Sequence, residues 1–110
     1  MKVNHKSLDI SNNKIRDDAV LLNPILQDST NKLQILKLSK NNIGDSTCNQ
    51  LLISLQSNKR LKCLHLNDNK LSDRICDNLA DLISKHESLT ELYIRWNTIS
   101  SVGGRTVFNA

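Results

Sequence analysis

Residues 64–71 read LHLNDNKL, and the same frame returns as LDISNNKI at 8–15, LKLSKNNI at 36–43 and LYIRWNTI at 92–99. Superposed, the four give Leu-x-(Leu/Ile)-x-x-Asn-x-(Ile/Leu) without a gap, and Asn13, Asn41, Asn69 and Asn97 fall 28 residues apart throughout. Chance does not hold a period so constant over so short a chain. The sequence is a repeat array, and its function is to be sought in columns that run across repeats rather than in a pocket. The units span 5–32, 33–60, 61–88 and 89–110, the last incomplete, in one domain over 1–110.

Inside each segment the apolar residues alternate, as in a strand with one buried face. This predicts parallel strands at 7–10, 35–38, 63–66 and 91–94. Leu33, Leu61 and Leu89 lie three residues upstream and complete L-x-x-L-x-L-x-x-N-x-(I/L). The Asn comes where the strand turns away. Its amide both donates and accepts, so stacked coils predict a structural ladder in which Asn13, Asn41, Asn69 and Asn97 bond turn backbone in their own and adjacent coils. Left unpaired, such buried groups would cost about 1–3 kcal/mol each. Asn12, one residue earlier, is expected on the exposed face.

Helix-start residues follow: Asp17, Asp45 and Asp73, with Ser100 and Ser101 in the fourth unit, all expected as N-caps. Then the apolar spacing becomes helical, with Cys48, Leu51, Leu52 and Leu55 in the second unit and Cys76, Leu79, Ala80 and Ile83 in the third. The first unit is less regular, with Ala19, Leu22 and Leu26, and Pro24 is expected to shorten or kink its helix. Each unit therefore reads as one strand plus one helix.

This pattern resembles the leucine-rich repeats of the ribonuclease-inhibitor type, over nearly the whole chain from about His5 to Ala110. The resemblance implies an α/β solenoid, a horseshoe segment with a parallel β-sheet on the concave face and α-helices on the convex face. The fourth unit, RWNTISSVGGRTVFNA, is similar to repeats of intracellular proteins of this type, including axonemal dynein-regulatory subunits and immune-receptor sensor domains. Fold alone does not fix function.

The ends differ. His5 takes the column of Leu33, Leu61 and Leu89, and Val107 and Phe108 fall in the columns of Leu51/Leu79 and Leu52/Ala80 just before the chain stops. Terminal repeats need a polar outer face. The expectation is a segment of a longer array, or an end covered by end-to-end contact through uncapped terminal repeats.

Composition narrows the function classes. Three cysteines, with no paired-Cys cap motif and no Asn-x-Ser/Thr sequon, argue against a secreted repeat protein and for a cytoplasmic one, with cilium or cytoskeleton open. Cys48 and Cys76 share a helix column and are expected to be buried, whereas Cys63 is expected on the exposed strand face. No apolar run approaches the ~20 residues of a membrane span, and no signal peptide opens the chain. The phosphate loop, nucleophile elbow, zinc helix and C-x-x-C motifs are absent, so no catalytic residue, cofactor or metal is expected. His5, His65 and His86 stand one or two repeats apart and do not converge with the cysteines on a metal. Gly103 and Gly104 near a helix start hint at anion binding, against the plainer reading of local variation.

Function is therefore expected on the concave face. Its columns are Ser7, Ile35, Cys63, Glu91; then Asp9, Lys37, His65, Tyr93; then Ser11, Ser39, Asn67, Arg95; and then Asn12, Lys40, Asp68, Trp96. Residues one repeat apart lie on neighbouring strands about 4.7–4.9 Å apart, so one ligand can touch several. The candidate partner-binding residues are Ile35, Lys37, Lys40, His65, Asp68, Glu91, Tyr93, Arg95 and Trp96. Tyr93, Arg95 and Trp96 are of the types enriched in binding hot spots. The alternative for Trp96 is packing on its own repeat.

The net charge of +4 does not concentrate on these columns, where Lys37, Lys40 and Arg95 are matched by Asp9, Asp68 and Glu91. The excess includes Lys59, Arg60 and Lys62 on a return loop, which argues against a phosphate-binding groove and against nucleic acid as partner. The leading expectation is a non-catalytic scaffold that binds a protein partner. The first alternative is a GTPase-activating regulator of a small GTPase, because Ran GTPase-activating proteins use this repeat class. A ciliary or axonemal assembly component and a pathogen-sensing domain are further alternatives.

Overall fold

The computed structural model describes residues 6–28, 30–100 and 103. His5, Ser101, Val107 and Phe108, on which the end-coil and last-cap expectations rest, lie outside the described residues. Four strands, β1 (Ser7–Asp9), β2 (Ile35–Lys37), β3 (Cys63–His65) and β4 (Glu91–Tyr93), form one parallel sheet in chain order. Leu8 pairs with Leu36, Leu36 with Leu64, and Leu64 with Leu92, so the repeat period is the register of the sheet. Each strand is one residue shorter than predicted.

The other layer holds the helices α1 (Asn23–Gln27), α2 (Asp45–Leu55) and α3 (Cys76–Lys85). Between the layers Leu33, Leu36, Leu38, Ile43, Leu51, Leu52, Leu61, Leu64, Leu66 and Leu71 are at most 2% exposed. Each such side chain contributes about 1.5–3 kcal/mol on burial, which makes the repeated columns the main source of stability. Among the described residues, no helix is long and apolar enough to cross a membrane.

Pro24 lies in the first turn of α1, where its missing N–H is no loss. The chain before it, Arg16–Leu22, runs as a 3-10 helix, leaving α1 only 5 residues long. The third unit also opens with a 3-10 turn, Asp73–Ile75. Its helical face is rotated relative to expectation: Leu82 is buried and Ile83 is 37% exposed. The cause is one-sided packing, since among the described helices α2 contacts both neighbours and α3 only α2.

The aspartates are not caps. The N-cap of α2 is Gly44, and Asp45 instead accepts from the Ser72 N–H at 2.7 Å and the Ser72 hydroxyl at 2.6 Å. Asp73 accepts from the Ser100 N–H at 2.7 Å and from its hydroxyl. Gly44 stands where a third serine would face Asp17, which accepts from Thr47 Oγ1 at 2.9 Å instead. A carboxylate reaching across to the next coil's hydroxyl and N–H satisfies two donors at once, where a local cap would satisfy one. Hydroxyl and amide bonds from Ser100 hold the Asp73 carboxylate below its usual range.

Gly103 closes this column. A Cβ there would come within 2.7 Å of Asp73 Cγ and 2.8 Å of Cys76 Sγ, so only glycine fits. With a carboxylate against it, the Gly103 backbone is no anion site. The return loops carry a further device, unseen in the sequence. Asn58 Oδ1 accepts from the N–H groups of Arg60 and Leu61, and His86 Nδ1 takes the same role for Ser88 and Leu89. Burial holds the His86 pKa below its ordinary value, which keeps that nitrogen free to accept.

Candidate functional site

The concave surface is built by the side chains that alternate with the buried leucines. Its geometry begins where each strand ends. Asn12, Lys40, Asp68 and Trp96 have φ of 62°, 58°, 57° and 57°, the left-handed region. This turn aims two successive N–H groups at the next coil. Lys40 N–H donates to the Asn67 carbonyl at 3.0 Å and Asn41 N–H to Asn69 Oδ1 at 3.0 Å.

The asparagines then repeat one set of bonds. Asn69 Oδ1 also accepts from Ile43 N–H at 3.1 Å, while its Nδ2 donates to the carbonyls of Leu38, Leu66 and Asn67. Asn41 bonds Asn13, Ile10 and Leu38 in the same way, and Asn97 bonds Asn69, Leu71 and Leu66. Asn13 is exposed and its Nδ2 donates within its own coil, to Ile10 and Ser11. These amides hold the turns, and the turns hold the surface.

Across that surface the first column is uneven. Glu91 is exposed and Ile35 half-buried, but Cys63 is 5% exposed, contrary to expectation. It lies in register between Ile35 and Glu91, two longer side chains that cover its short one. Burial, with the Glu91 carboxylate second, pushes its thiol up to about 11, and burial pushes Cys48 up to about 12. Neither is a poised thiolate.

In the second column the His65 and Tyr93 rings stack with centroids 4.4 Å apart and 25° between planes. Lys37 is half-buried beside them. Asp9 accepts the Ser11 N–H at 3.0 Å, and that bond chiefly, with Lys37 and His65 assisting, holds its carboxylate below the usual range. The third column is partly consumed by the fold: Ser39 Oγ accepts from Asn67 N–H at 3.1 Å, and Asn67 Oδ1 from Arg95 N–H at 2.7 Å. The Arg95 side chain is exposed. In the fourth, Lys40 and Asp68 are exposed and Trp96 is 70% exposed, so its ring does not pack on its own repeat. The structure thus brings Lys37, His65, Glu91, Tyr93 and Arg95 onto one face, with Lys40, Asp68 and Trp96 on its rim; Ile35 contributes cover more than contact.

A bulky L residue in the left-handed region carries roughly 1–2 kcal/mol of strain. Trp96→Gly relieves it, against the ~0.5–1 kcal/mol that glycine loses in chain entropy. The array is therefore expected to keep its denaturation midpoint in that variant. A loss of about 1 kcal/mol or more, measured by urea unfolding, would show that the ring packs after all.

The same turns expose residues that the column reading missed. Lys14 and Arg16 also have positive φ, 53° and 50°, as does Asn42 at 56°. Asn12, Lys14, Lys40, Asn42 and Asp68 line a shallow depression of about 260 Å³. A second cleft, of about 310 Å³, lies at the return loops between Leu26–Asp28 and Ser57–Arg60, at the other end of the strands. Among the described residues, no group of three or more His, Cys, Asp or Glu is arranged to hold a metal ion.

Comparison with known proteins bears on the fold. A family model described as Leucine Rich repeat matches residues 6–21, 30–46, 57–80 and 85–108. No curated protein matches the chain. Among solved structures, the chain is similar to the leiomodin-1 actin-binding site 2, with a TM-score of 0.81 and 16% identity over 94% of this chain. It is also similar to the tropomodulin C-terminal domain of Caenorhabditis elegans, with a TM-score of 0.60 and 17% identity, covering 94% of this chain and 80% of that one. The chain spans 62% of the length of the leiomodin-1 structure. At these identities the likeness is one of fold.

Proposed function

The chain belongs to the leucine-rich repeat family, and we propose that it is a non-catalytic binding module that takes a protein partner on its concave strand face. One observation carries this reading: the stacked His65 and Tyr93 rings lie beside an exposed Arg95 and a 70% exposed Trp96 on a face whose other exposed side chains are polar. Exposed Tyr, Arg and Trp on a rigid sheet supply contact area at low entropic cost, the profile of a binding hot spot. Burial raises the thiol of Cys63 on that face, so it is not a ready nucleophile.

One of the two similar structures is named for an actin-binding site, which makes actin the first defined partner to test and fits a cytoplasmic, cytoskeleton-associated role. Neither is named for action on a GTPase, so the GTPase-regulator alternative gains no support from them.

The test places a photoreactive phenylalanine analogue at Lys37 or Tyr93 on the concave face, or at Asp77 or Ser84 on α3. The protein is irradiated with purified actin and, separately, in extract from its native source. Cross-links to a protein from the concave positions and none from α3 are expected. Cross-links confined to α3 would overturn the concave assignment.

A further inference from the structure

The return loops that lead into β2, β3 and β4 are tied by one device in two chemistries. Asn31 Oδ1 accepts from the Leu33 N–H at 2.9 Å, and Asn58 Oδ1 from those of Arg60 at 2.9 Å and Leu61 at 2.8 Å. Their Nδ2 groups are occupied too, by the Ile25 and Asp28 carbonyls and by the Leu26 carbonyl. An amide holds both roles at any ordinary pH. His86 stands 28 residues after Asn58 and takes its place in the loop before β4. Its Nδ1 accepts from the Leu89 N–H at 2.9 Å and the Ser88 N–H at 3.3 Å. A backbone N–H can only donate, so the ring proton sits on Nε2. That nitrogen is buried without a hydrogen-bond partner among the described residues.

The arrangement suits neutral imidazole and no other form. Imidazolium carries an N–H on both nitrogens. One would point at two backbone N–H groups, and the other would stay buried with nothing to accept it; each defect is costly. Among the described residues, the one oxygen in hydrogen-bond reach of Nδ1 is Ser88 Oγ at 3.3 Å, whose own hydrogen goes to the Leu61 carbonyl at 2.9 Å. Turning to it would still leave the Ser88 and Leu89 N–H groups without an acceptor. The surrounding charges are few. Burial is the larger influence on the ring and disfavours its protonation, with Glu87 pulling the other way. Lys85 at the end of α3 is paired with Asp81 at 3.2 Å, and α2 carries no charge beyond Asp45 in its first turn. Lys59, Arg60 and Lys62 on the adjoining return loop, and Glu91 at the start of β4, are exposed.

We infer that His86 is an acid-sensitive latch on the fourth coil: protonation of its ring frees the loop at Ser88 and Leu89 and loosens β4, which carries Tyr93 and leads to Arg95 and Trp96. The consequence for binding rests on the reading of the concave face as a contact surface; the latch itself does not. The loop is placed to transmit the change. Thr90 and Glu91, immediately after it, donate to the Lys62 carbonyl at 2.9 and 3.0 Å, the first bonds that hold β4 to β3. Among the described residues β4 has a strand on one side only. The folded ring titrates below its ordinary value of 6.5, so the unfolded chain takes up the proton first as pH falls. The latch therefore contributes in full above that value and is lost as pH drops through the folded-state one.

The full chain is followed by NMR between about pH 8 and about pH 4.5, a range that spans histidine titration. The His86 ring nitrogens report tautomer and protonation, and amide exchange is corrected for its intrinsic pH dependence. At the upper end the ring should carry its proton on Nε2. As His86 titrates, the amides of Thr90, Glu91 and Arg95 should lose protection by about tenfold or more relative to those of Leu38 and Cys63, because two loop bonds go together. His86→Asn, which copies Asn58, should remove most of that loss, and His65→Asn should leave it. Should His86→Asn differ from the parent in thermal unfolding at the upper pH, the parent decides alone: loss of protection must follow the His86 titration and not those of His5 or His65.

A proton on Nδ1 at the upper pH, a ring that stays neutral throughout, protection at β4 that survives protonation of His86, or an equal loss in a folded His86→Asn would each overturn the inference. No partner enters this experiment, so its failure leaves the cross-linking result untouched. Cross-links confined to α3 would leave the latch standing and end its link to binding.

Discussion

Leu64→Ala should destabilise the array by about 3–5 kcal/mol, whereas Leu92→Ala, the same change one repeat later, should cost less than half of that. Leu64 is 2% exposed and pairs in register with Leu36 on one side and Leu92 on the other. Truncation opens a cavity that neither neighbouring coil can collapse into without breaking its own register. Leu92 is half-buried, and part of its side chain already meets solvent. In a stacked array each unit is stabilised mainly by its neighbours, so a defect at an inner coil weakens two interfaces. Urea denaturation with unchanged m-values reads the difference directly. Equal midpoints for the two variants would mean that the coils do not couple as the packing implies.

Asn69→Ala is the second large loss, about 3 kcal/mol. The alanine leaves two N–H groups, of Asn41 and Ile43, without their acceptor, and deprives the carbonyls of Leu38, Leu66 and Asn67 of a donor. Asn69 is 7% exposed, so water does not readily replace it. The matched control is Asn12→Gly rather than Asn12→Ala. Asn12 is exposed, as expected, but its φ of 62° means that alanine would add strain unrelated to hydrogen bonding. Glycine there should be nearly neutral. A midpoint for Asn69→Ala equal to that of Asn12→Gly would show that the amide bonds contribute nothing net.

Much of this architecture was legible because one period governs both the sequence and the sheet. Alternation of leucines placed the strands to within one residue, and the Asn column marked where they turn. What escaped was decided by partners a whole repeat away. Nothing within four residues of Asp45 tells whether its carboxylate caps its own helix or reaches Ser72; the recurrence of the spacing, Asp45 to Ser72 and Asp73 to Ser100, was the signal that could have told. Cys63 was misplaced because alternation assigns a face and says nothing of how tall the neighbours on that face are. Ile83 was misplaced because periodicity marks an apolar face without showing which side of the helix has a neighbour: among the described helices, α2 is packed on both sides and α3 on one. The candidate surface was named from side-chain type. Its left-handed backbone, and with it the exposure of Trp96, followed from a demand of the turn that the residue types disguise.

The long-range bonds of the asparagine and aspartate columns all join a coil to the one beside it, at sequence separations of 26, 27, 28, 30 or 31. Among the described residues, no coil is bonded by them to a coil further off. Were residues 33–60 excised, Asn69 would meet Asn13 and Ile10 as it now meets Asn41 and Leu38, and Asp17 would face Ser72 in place of Gly44. Such a molecule keeps its grammar when a whole unit is lost or copied, so unequal recombination between repeats can change the span of the binding face without inventing a new join. Insertions or deletions of any other length break that grammar, and the family's variation in length should therefore come in whole coils.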